Sequence, residues 1–299
     1  MKRLLVTGRH GFVGNALAGM LDSEPPLANW VLAPLSPDFQ ILDADATRRV
    51  VADAAPDAVI HLAAQTFVPE SFRDPEGTLR VNLFGTLNLL KALKDARFAG
   101  PLLFVSSGDV YGLVPEDELP ISERRLPAPR NTYAVSKLAA EALCCQWAAT
   151  EGMRIVVARP FNHIGPGQSD RFAIAGFAHQ LADIRRGKQE PVIVAGELDV
   201  TRDFTDVRDV VSAYFALLEK GVSGERYNVC SGIERTVRSL LDRLIEIAGV
   251  EVEIRVDRAR MRATEQRRTV GDANKIQAIT GWQATTPLEV SLAEMLNGV

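Results

Sequence analysis

An apolar run, Leu4 to Val6, passes through Thr7 into Gly8, Gly11 and Gly14, residues 7–14 reading TGRHGFVG. Glycines at this spacing let a chain turn sharply out of a strand. They leave room for a pyrophosphate at the positive end of the helix that follows. The feature therefore requires a buried first strand, a turn holding Gly8, Arg9, His10, Gly11, Phe12 and Val13, and a helix starting near Gly14. A strand, turn and helix in this order open a doubly wound α/β fold that binds a dinucleotide.

The rest of the chain continues that rhythm. Unbroken apolar runs at 4–7, 30–35, 58–62, 102–106 and 155–159 suit strands covered on both faces. Helical stretches lie between them. In 82–96, Leu83, Leu87, Leu90 and Leu93 return at spacings of three and four. Strand alternating with helix predicts a doubly wound parallel Rossmann sheet. After Pro160 come a Gly/Pro loop at 165–167, a helix-like segment through Arg186 and an arginine-rich stretch at 255–268. The expected organisation is a dinucleotide domain over 1–163, with 205–230 returning to it, and a smaller C-terminal α/β substrate-binding lobe over 164–204 and 231–299.

At 299 residues with 46% hydrophobic residues, the chain can bury a large core around a cleft. Its formal charge of -4 gives no general attraction to nucleic acid or to an anionic membrane. No apolar run reaches the roughly 18 residues of a membrane span. Cys144, Cys145 and Cys230 have no metal-ligand spacing, so no metal is expected and a reducing cytoplasm fits best.

A carboxylate at the end of the second strand would bond the ribose of NADH and repel the extra phosphate of NADPH. Residues 33–37, APLSP, carry none. Arg9 in the glycine turn suits a 2′-phosphate and equally suits solvent, so NADPH and NADH both stay open.

Tyr133 and Lys137 are four apart in NTYAVSKLAAE, a stretch of helix formers, and so share one helix face. A nearby ammonium lowers a phenol's pKa and helps it exchange a proton with a substrate oxygen. A Tyr and a Lys at this spacing also arise by chance. Ser107, however, lies in SSGDVYG at the carboxyl end of the 102–106 run, where open parallel sheets bind ligands. Ser107, Tyr133 and Lys137 are the candidate catalytic set.

Together TGRHGFVG, HLAAQ (61–65), SSGDVYG (106–112), YAVSK (133–137) and RPFNHIGPGQ (159–168) resemble the extended short-chain dehydrogenase/reductase family. AAQTFVPESF (63–72), FNHIGPGQS (161–169) and GELDVTRDFTDVRDV (196–210) resemble its branch of GDP-mannose 4,6-dehydratases and GDP-6-deoxy-D-mannose reductases, with FNHIGPGQ most similar to the reductases. The resemblance implies Tyr133 as acid, Lys137 on the nicotinamide ribose and Ser107 on the sugar oxygen. It places Asp43 and Ala44 at the adenine and Leu62, Ala63 and Ala64 at the diphosphate, and counts Val105, Ser106 and Pro160 among the cofactor-binding residues. On the substrate side it implies Gly108, Asp109, Asn162, His163, Arg202, Arg262 and Glu265.

Dehydratases of this family carry an acid/base pair just after the serine or threonine. Here those positions are Gly108, which cannot transfer a proton, and Asp109, one methylene shorter than the expected glutamate. Epimerising relatives have a cysteine in place of Asp109. The resemblance thus implies reduction of a GDP-activated 4-keto-6-deoxyhexose at C4, in a homodimer or homotetramer. A nucleotide-sugar 4-epimerase, a 4,6-dehydratase or a non-catalytic dinucleotide sensor would share most of these motifs.

Overall fold

The computed structural model describes residues 1–23, 29–257 and 266–299. In chain order its strands are β1 (Lys2–Thr7), β2 (Trp30–Leu32), β3 (Ala58–His61), β4 (Leu102–Val105), β5 (Ile155–Pro160), β6 (Asn162–Ile164), β7 (Val192–Ala195), β8 (Thr201–Asp206), β9 (Arg226–Val229), β10 (Glu234–Thr236) and β11 (Glu253–Val256). The helices are α1 (Phe12–Ser23), α2 (Ala44–Ala54), α3 (Val68–Arg73), α4 (Pro75–Leu79), α5 (Gly85–Asp95), α6 (Thr132–Glu151), α7 (Ala173–Arg185), α8 (Val207–Lys220), α9 (Val237–Ala248), α10 (Asn274–Thr280) and α11 (Leu288–Asn297).

Six parallel strands form the main sheet in the order β2-β1-β3-β4-β5-β9. Strand residues point alternately to its two faces, and each face is covered. Leu4, Val6, Ile60, Leu103 and Val156 pack with Leu17 of α1 and with Val210, Val211 and Tyr214 of α8. Leu5, Val59, Phe104, Ile155 and Val157 pack on the other side with Leu89 and Leu93 of α5 and with Ala140 and Cys144 of α6. The chain is a doubly wound Rossmann fold.

The strand order reverses between β1 and β3. Crossovers there leave in opposite directions and open a crevice at the carboxyl ends of the strands. A second apolar core holds Phe177 and Leu181 of α7, Leu241 and Leu244 of α9, and Leu292 and Met295 of α11 around β7. The sheets β10-β8-β6 and β11-β7 flank it.

Two local readings change. Residues 274–282, assigned from the sequence to the lobe, pack against the main sheet instead. Ile276 and Trp282 lie in the core with Leu4, and the Trp282 indole donates to the Asp209 carbonyl at 3.0 Å on α8. Their apolar side chains find that face already lined by α8. The helix expected over 82–96 is also interrupted, because Arg80–Phe84 form a π turn before α5. Among the described residues no helix is long and apolar enough to cross a membrane.

Candidate active site

The glycine turn lies at the switch point. Gly8 has φ +73°, and a Cβ there would sit 2.7 Å from the Ala63 nitrogen. A Cβ on Gly14 would overlap the Arg9 backbone. The turn is therefore pressed against the end of β3, which the Leu62 N–H anchors by donating to the Thr7 carbonyl at 3.1 Å. Leu62, Ala63 and Ala64 follow directly beside it.

Helix α1 begins at Phe12, two residues before Gly14. Val13 packs toward the core, and the Phe12 ring stacks on His163 with centroids 6.0 Å apart. Arg9 Nη1 donates to the Ala33 carbonyl at 3.3 Å, and His10 Nε2 lies 3.5 Å from the Leu35 carbonyl. Both side chains thus reach the segment after β2 that lacks a carboxylate. Asp43 is the N-cap of α2, its Oδ1 accepting from Ala46 N at 2.9 Å, with Ala44 opening the helix.

Ser107, just past β4, caps a short 3-10 turn over Gly108–Tyr111, and its hydroxyl accepts from Asp109 N at 3.1 Å. Tyr133 stands in the first turn of α6, whose N-cap Asn131 accepts from Ala134 N at 2.7 Å. Burial pushes the phenol above its ordinary range; the charge of Asp109 raises it further, and a hydrogen bond with Ser107 opposes both. The lowering expected from Lys137 is not found: the Lys137 ammonium is engaged by the Val105 carbonyl, and only the hydrogen bond with Ser107 acts to lower the phenol. A phenol in this state keeps its proton at neutral pH, the form required of an acid.

Lys137 lies one helical turn further on, buried, with Nζ donating to the Val105 carbonyl at 2.8 Å and 5.4 Å from the Phe104 ring centre. Burial lowers its pKa to about 8. Ser106 Oγ, next in the chain, is buried and has no hydrogen-bond partner among the described residues. Pro160 ends β5 alongside.

A turn that excludes a Cβ, a buried ammonium and an orphaned hydroxyl at the carboxyl edge of the sheet fit a dinucleotide with its nicotinamide near Tyr133. Gly8, Arg9, His10, Gly11, Phe12 and Val13 would hold its phosphate side, and Lys137, Val105, Ser106 and Pro160 its nicotinamide side.

On the substrate side Asn162 is exposed and His163 is half-buried, its Nδ1 3.0 Å from the Phe161 carbonyl. Burial lowers the His163 pKa, so the ring is neutral and serves as a stacking partner for Phe12. Arg202 lies on β8, two positions before Phe204, which pairs with Asn162, and its Nη1 donates to the Thr201 carbonyl at 2.6 Å. Arg262 and Glu265 lie outside the described residues.

Neighbouring Asp203 is fully buried. It accepts from Ser231 N at 2.8 Å, Ser231 Oγ at 2.6 Å, Gly232 N at 2.9 Å and Gly271 N at 3.2 Å, tying three segments together beside Arg202.

The sequence reading missed Asp203 and a buried polar group behind the site: Thr7, His61, Asn82, Thr86 and Ser136. One signal was available. Thr7 and His61 close otherwise apolar strand runs, and buried polar side chains require partners.

A model of the GDP-mannose 4,6 dehydratase family matches residues 37–295. The chain is 52% identical over 296 residues, 99% of this chain and 96% of the relative, to GDP-6-deoxy-D-mannose reductase of Pseudomonas aeruginosa. It is 31% identical over 281 residues, 93% of this chain and 91% of the relative, to GDP-6-deoxy-D-talose 4-dehydrogenase of Aggregatibacter actinomycetemcomitans. The solved structure of RMD from Pseudomonas aeruginosa complexed with NADPH superposes with a TM-score of 0.94 at 51% identity, covering 100% of this chain and 98% of that one. Glycine turn, Ser–Tyr–Lys edge and these matches agree: the chain belongs to the GDP-mannose 4,6-dehydratase family of extended short-chain dehydrogenases/reductases.

Proposed function

We propose that this protein is an NADPH-using reductase that converts the C4 keto group of GDP-4-dehydro-6-deoxy-D-mannose to an alcohol, giving GDP-D-rhamnose. The observation that carries this reading is a buried Tyr133 hydrogen-bonded to Ser107 and one helical turn before buried Lys137 on α6, with no elimination pair following Ser107. The 52% identity to a GDP-6-deoxy-D-mannose reductase supports it.

When bound, the dihydronicotinamide supplies the hydrogen and electron pair for C4. The residues of the chain do the rest. Ser107 holds the carbonyl oxygen, and Tyr133 gives its proton to that oxygen as negative charge develops there. Lys137, charged below about pH 8, stabilises the tyrosinate left behind and holds the nicotinamide ribose. Arg9 engages the 2′-phosphate at the carboxylate-free end of β2; Asp43 and Ala44 border the adenine.

Gly108 and Asp109 flank the hexose. His163 touches the hexose as well, and Asn162 and Arg202, together with Arg262 and Glu265, hold the nucleotide sugar, arginine forks matching diphosphate oxygens. Segments 164–204 and 231–299, apart from 274–282 and taken over the described residues, form this substrate lobe. A second copy packs on the helical segments over 82–96 and 133–150, where Phe84 and Val135 are exposed. The cytoplasm is the proposed compartment, in keeping with three unpaired cysteines.

The test is incubation of purified protein with NADPH and the 4-keto sugar nucleotide. The reading requires one NADPH oxidised per GDP-deoxyhexose formed. A changed sugar without net NADPH loss would assign the chain to the epimerases or dehydratases, which regenerate their cofactor.

A further inference from the structure

Behind the acid, five buried polar residues form one line of hydrogen bonds that passes through both the backbone and the side chain of Asn82. The Ala63 N–H donates to Thr7 Oγ1 at 3.3 Å, and Thr7 Oγ1 lies 2.6 Å from His61 Nδ1. His61 Nε2 lies 3.0 Å from Thr86 Oγ1, which donates to the Asn82 carbonyl at 2.6 Å. Asn82 Nδ2 donates to Ser136 Oγ at 2.8 Å, and Ser136 Oγ donates to the carbonyl of Tyr133 at 2.7 Å. Thr7, His61, Asn82, Thr86 and Ser136 are each at most 2% exposed.

The direction of every bond follows from donor counting. Thr86 gives its only proton to the Asn82 carbonyl, so it must accept from His61, which fixes the proton on Nε2. His61 Nδ1 then accepts from Thr7, whose oxygen accepts from Ala63. Burial holds the imidazole neutral, with its pKa lowered to about 3, as this tautomer demands. All the donors point one way, from the end of β3 to Tyr133; bonds aligned in this manner polarise one another within each of the two runs that meet at Asn82, one ending on its backbone carbonyl and the other starting from its side-chain amide.

The π turn at Arg80–Phe84 makes the line possible. An i to i+5 turn adds one residue and rotates what precedes it by about 100° relative to α5. Asn82, at its middle, thereby faces inward and bonds two segments: it meets Ser136 on α6, accepts from Gln65 N at 2.8 Å and donates to the Gln65 carbonyl at 3.0 Å.

We propose that Thr7, His61, Thr86, Asn82 and Ser136 form a positioning strut that fixes the helix turn bearing Tyr133 relative to the glycine turn that seats the dinucleotide. Its first end lies at Ala63, in contact with Gly8, and its last on the backbone of the acid itself. None of the five touches the reacting atoms. They set the distance across which the proton donor and the nicotinamide must agree. The inference rests on the reductase reading above.

Three variants of the full chain test it: Thr86→Val, which keeps shape and removes the hydroxyl; Thr86→Ser, which restores it; and Ser136→Ala, at the opposite end. Each is assayed with NADPH and the 4-keto sugar nucleotide. Thr86→Val and Ser136→Ala are expected to lower kcat roughly ten- to hundredfold, the scale of a misplacement near 1 Å. NADPH affinity stays near that of the wild type, and Thr86→Ser recovers most of the rate.

The isotope effect with NADPH deuterated at the transferred position rises in the slow variants, and the double variant Thr86→Val/Ser136→Ala is no slower than the worse single one. A merely structural role would lower the melting temperature and leave kcat per folded molecule and the isotope effect unchanged, which would overturn the strut. Should Thr86→Val not fold, Ser136→Ala decides alone: wild-type kcat sinks the proposal. A wild type that never oxidises NADPH would instead sink the reductase reading, a result visible in the same assay.

Discussion

Gly8→Ala perturbs the close contact between the glycine turn and the end of β3, where the dinucleotide is proposed to sit. An L-residue at φ +73° costs about 1–2 kcal/mol. The new Cβ would lie 2.7 Å from Ala63 N and 2.9 Å from both Ala63 Cα and Leu62 C, against the 3.5–4.0 Å of ordinary contact. These are backbone atoms at the end of a central strand and cannot swing aside, so the turn must open by about 1 Å. Overpacking of this kind adds about 1–3 kcal/mol. The total, roughly 2–5 kcal/mol, corresponds to a melting temperature lower by roughly 4–10 °C in a chain this large.

Opening the turn moves the N-terminus of α1 away from the pyrophosphate, and the NADPH dissociation constant should rise at least about tenfold, the equivalent of 1.4 kcal/mol. Nucleotide fluorescence titration and calorimetry measure the two effects. Gly19→Ala serves as the contrast: this glycine lies within α1 with nothing within 4 Å of a built Cβ, so the alanine should stabilise by about 0.5–1 kcal/mol. Wild-type NADPH affinity in Gly8→Ala would refute the reasoning.

Three further outcomes are expected. Arg9→Ala should weaken NADPH by roughly ten- to hundredfold, as loss of a charge-assisted hydrogen bond implies, and leave NADH unchanged; equal loss for both would remove Arg9 from the 2′-phosphate. Because burial lowers the Lys137 pKa to about 8, the ammonium is intact below that pH and lost above it. Reduction should accordingly be level below about pH 8 and decline beyond it, whereas a profile level to the ordinary lysine range near 10 would contradict the role.

Buried His61 is neutral in the fold down to about pH 3, whereas the unfolded chain protonates it near 6.5, so the unfolded state takes up the extra proton and stability falls as pH drops below 6.5. The share carried by His61 is about 2 kcal/mol at pH 5. Urea melts should show that much less acid sensitivity in His61→Asn, and equal sensitivity would count against the neutral buried ring.

The sheet was legible because its strands are buried on both faces. Runs such as Leu102–Val105 have no polar face to confuse with a helix, and the glycine turn sets their direction. The Tyr133–Lys137 pair was legible because helical spacing fixes which side chains share a face. Spacing says nothing of what else shares it. The draw of the Val105 carbonyl on Lys137, and the burial that raises Tyr133, come from a strand and a sheet face remote in the chain.

The strut was hidden for the same reason: Thr7 meets His61 and Asn82 meets Ser136 across 54 residues each. The π turn had no signal in the leucine pattern of 83–93, which reads as continuous helix. Residues 274–282 follow the lobe in sequence, and only the apolar surface of α8 decides where Ile276 and Trp282 go.

The account stands on a proton held by residue 133. Tyr133→Phe deletes that hydroxyl and keeps the buried ring, so the fold and the glycine turn are untouched. In single turnover with bound NADPH and the 4-keto sugar nucleotide, the variant should transfer hydrogen to C4 roughly two to four orders of magnitude more slowly, with NADPH bound as in the wild type. A variant that reduces the sugar at the wild-type rate would show that the proton comes from elsewhere.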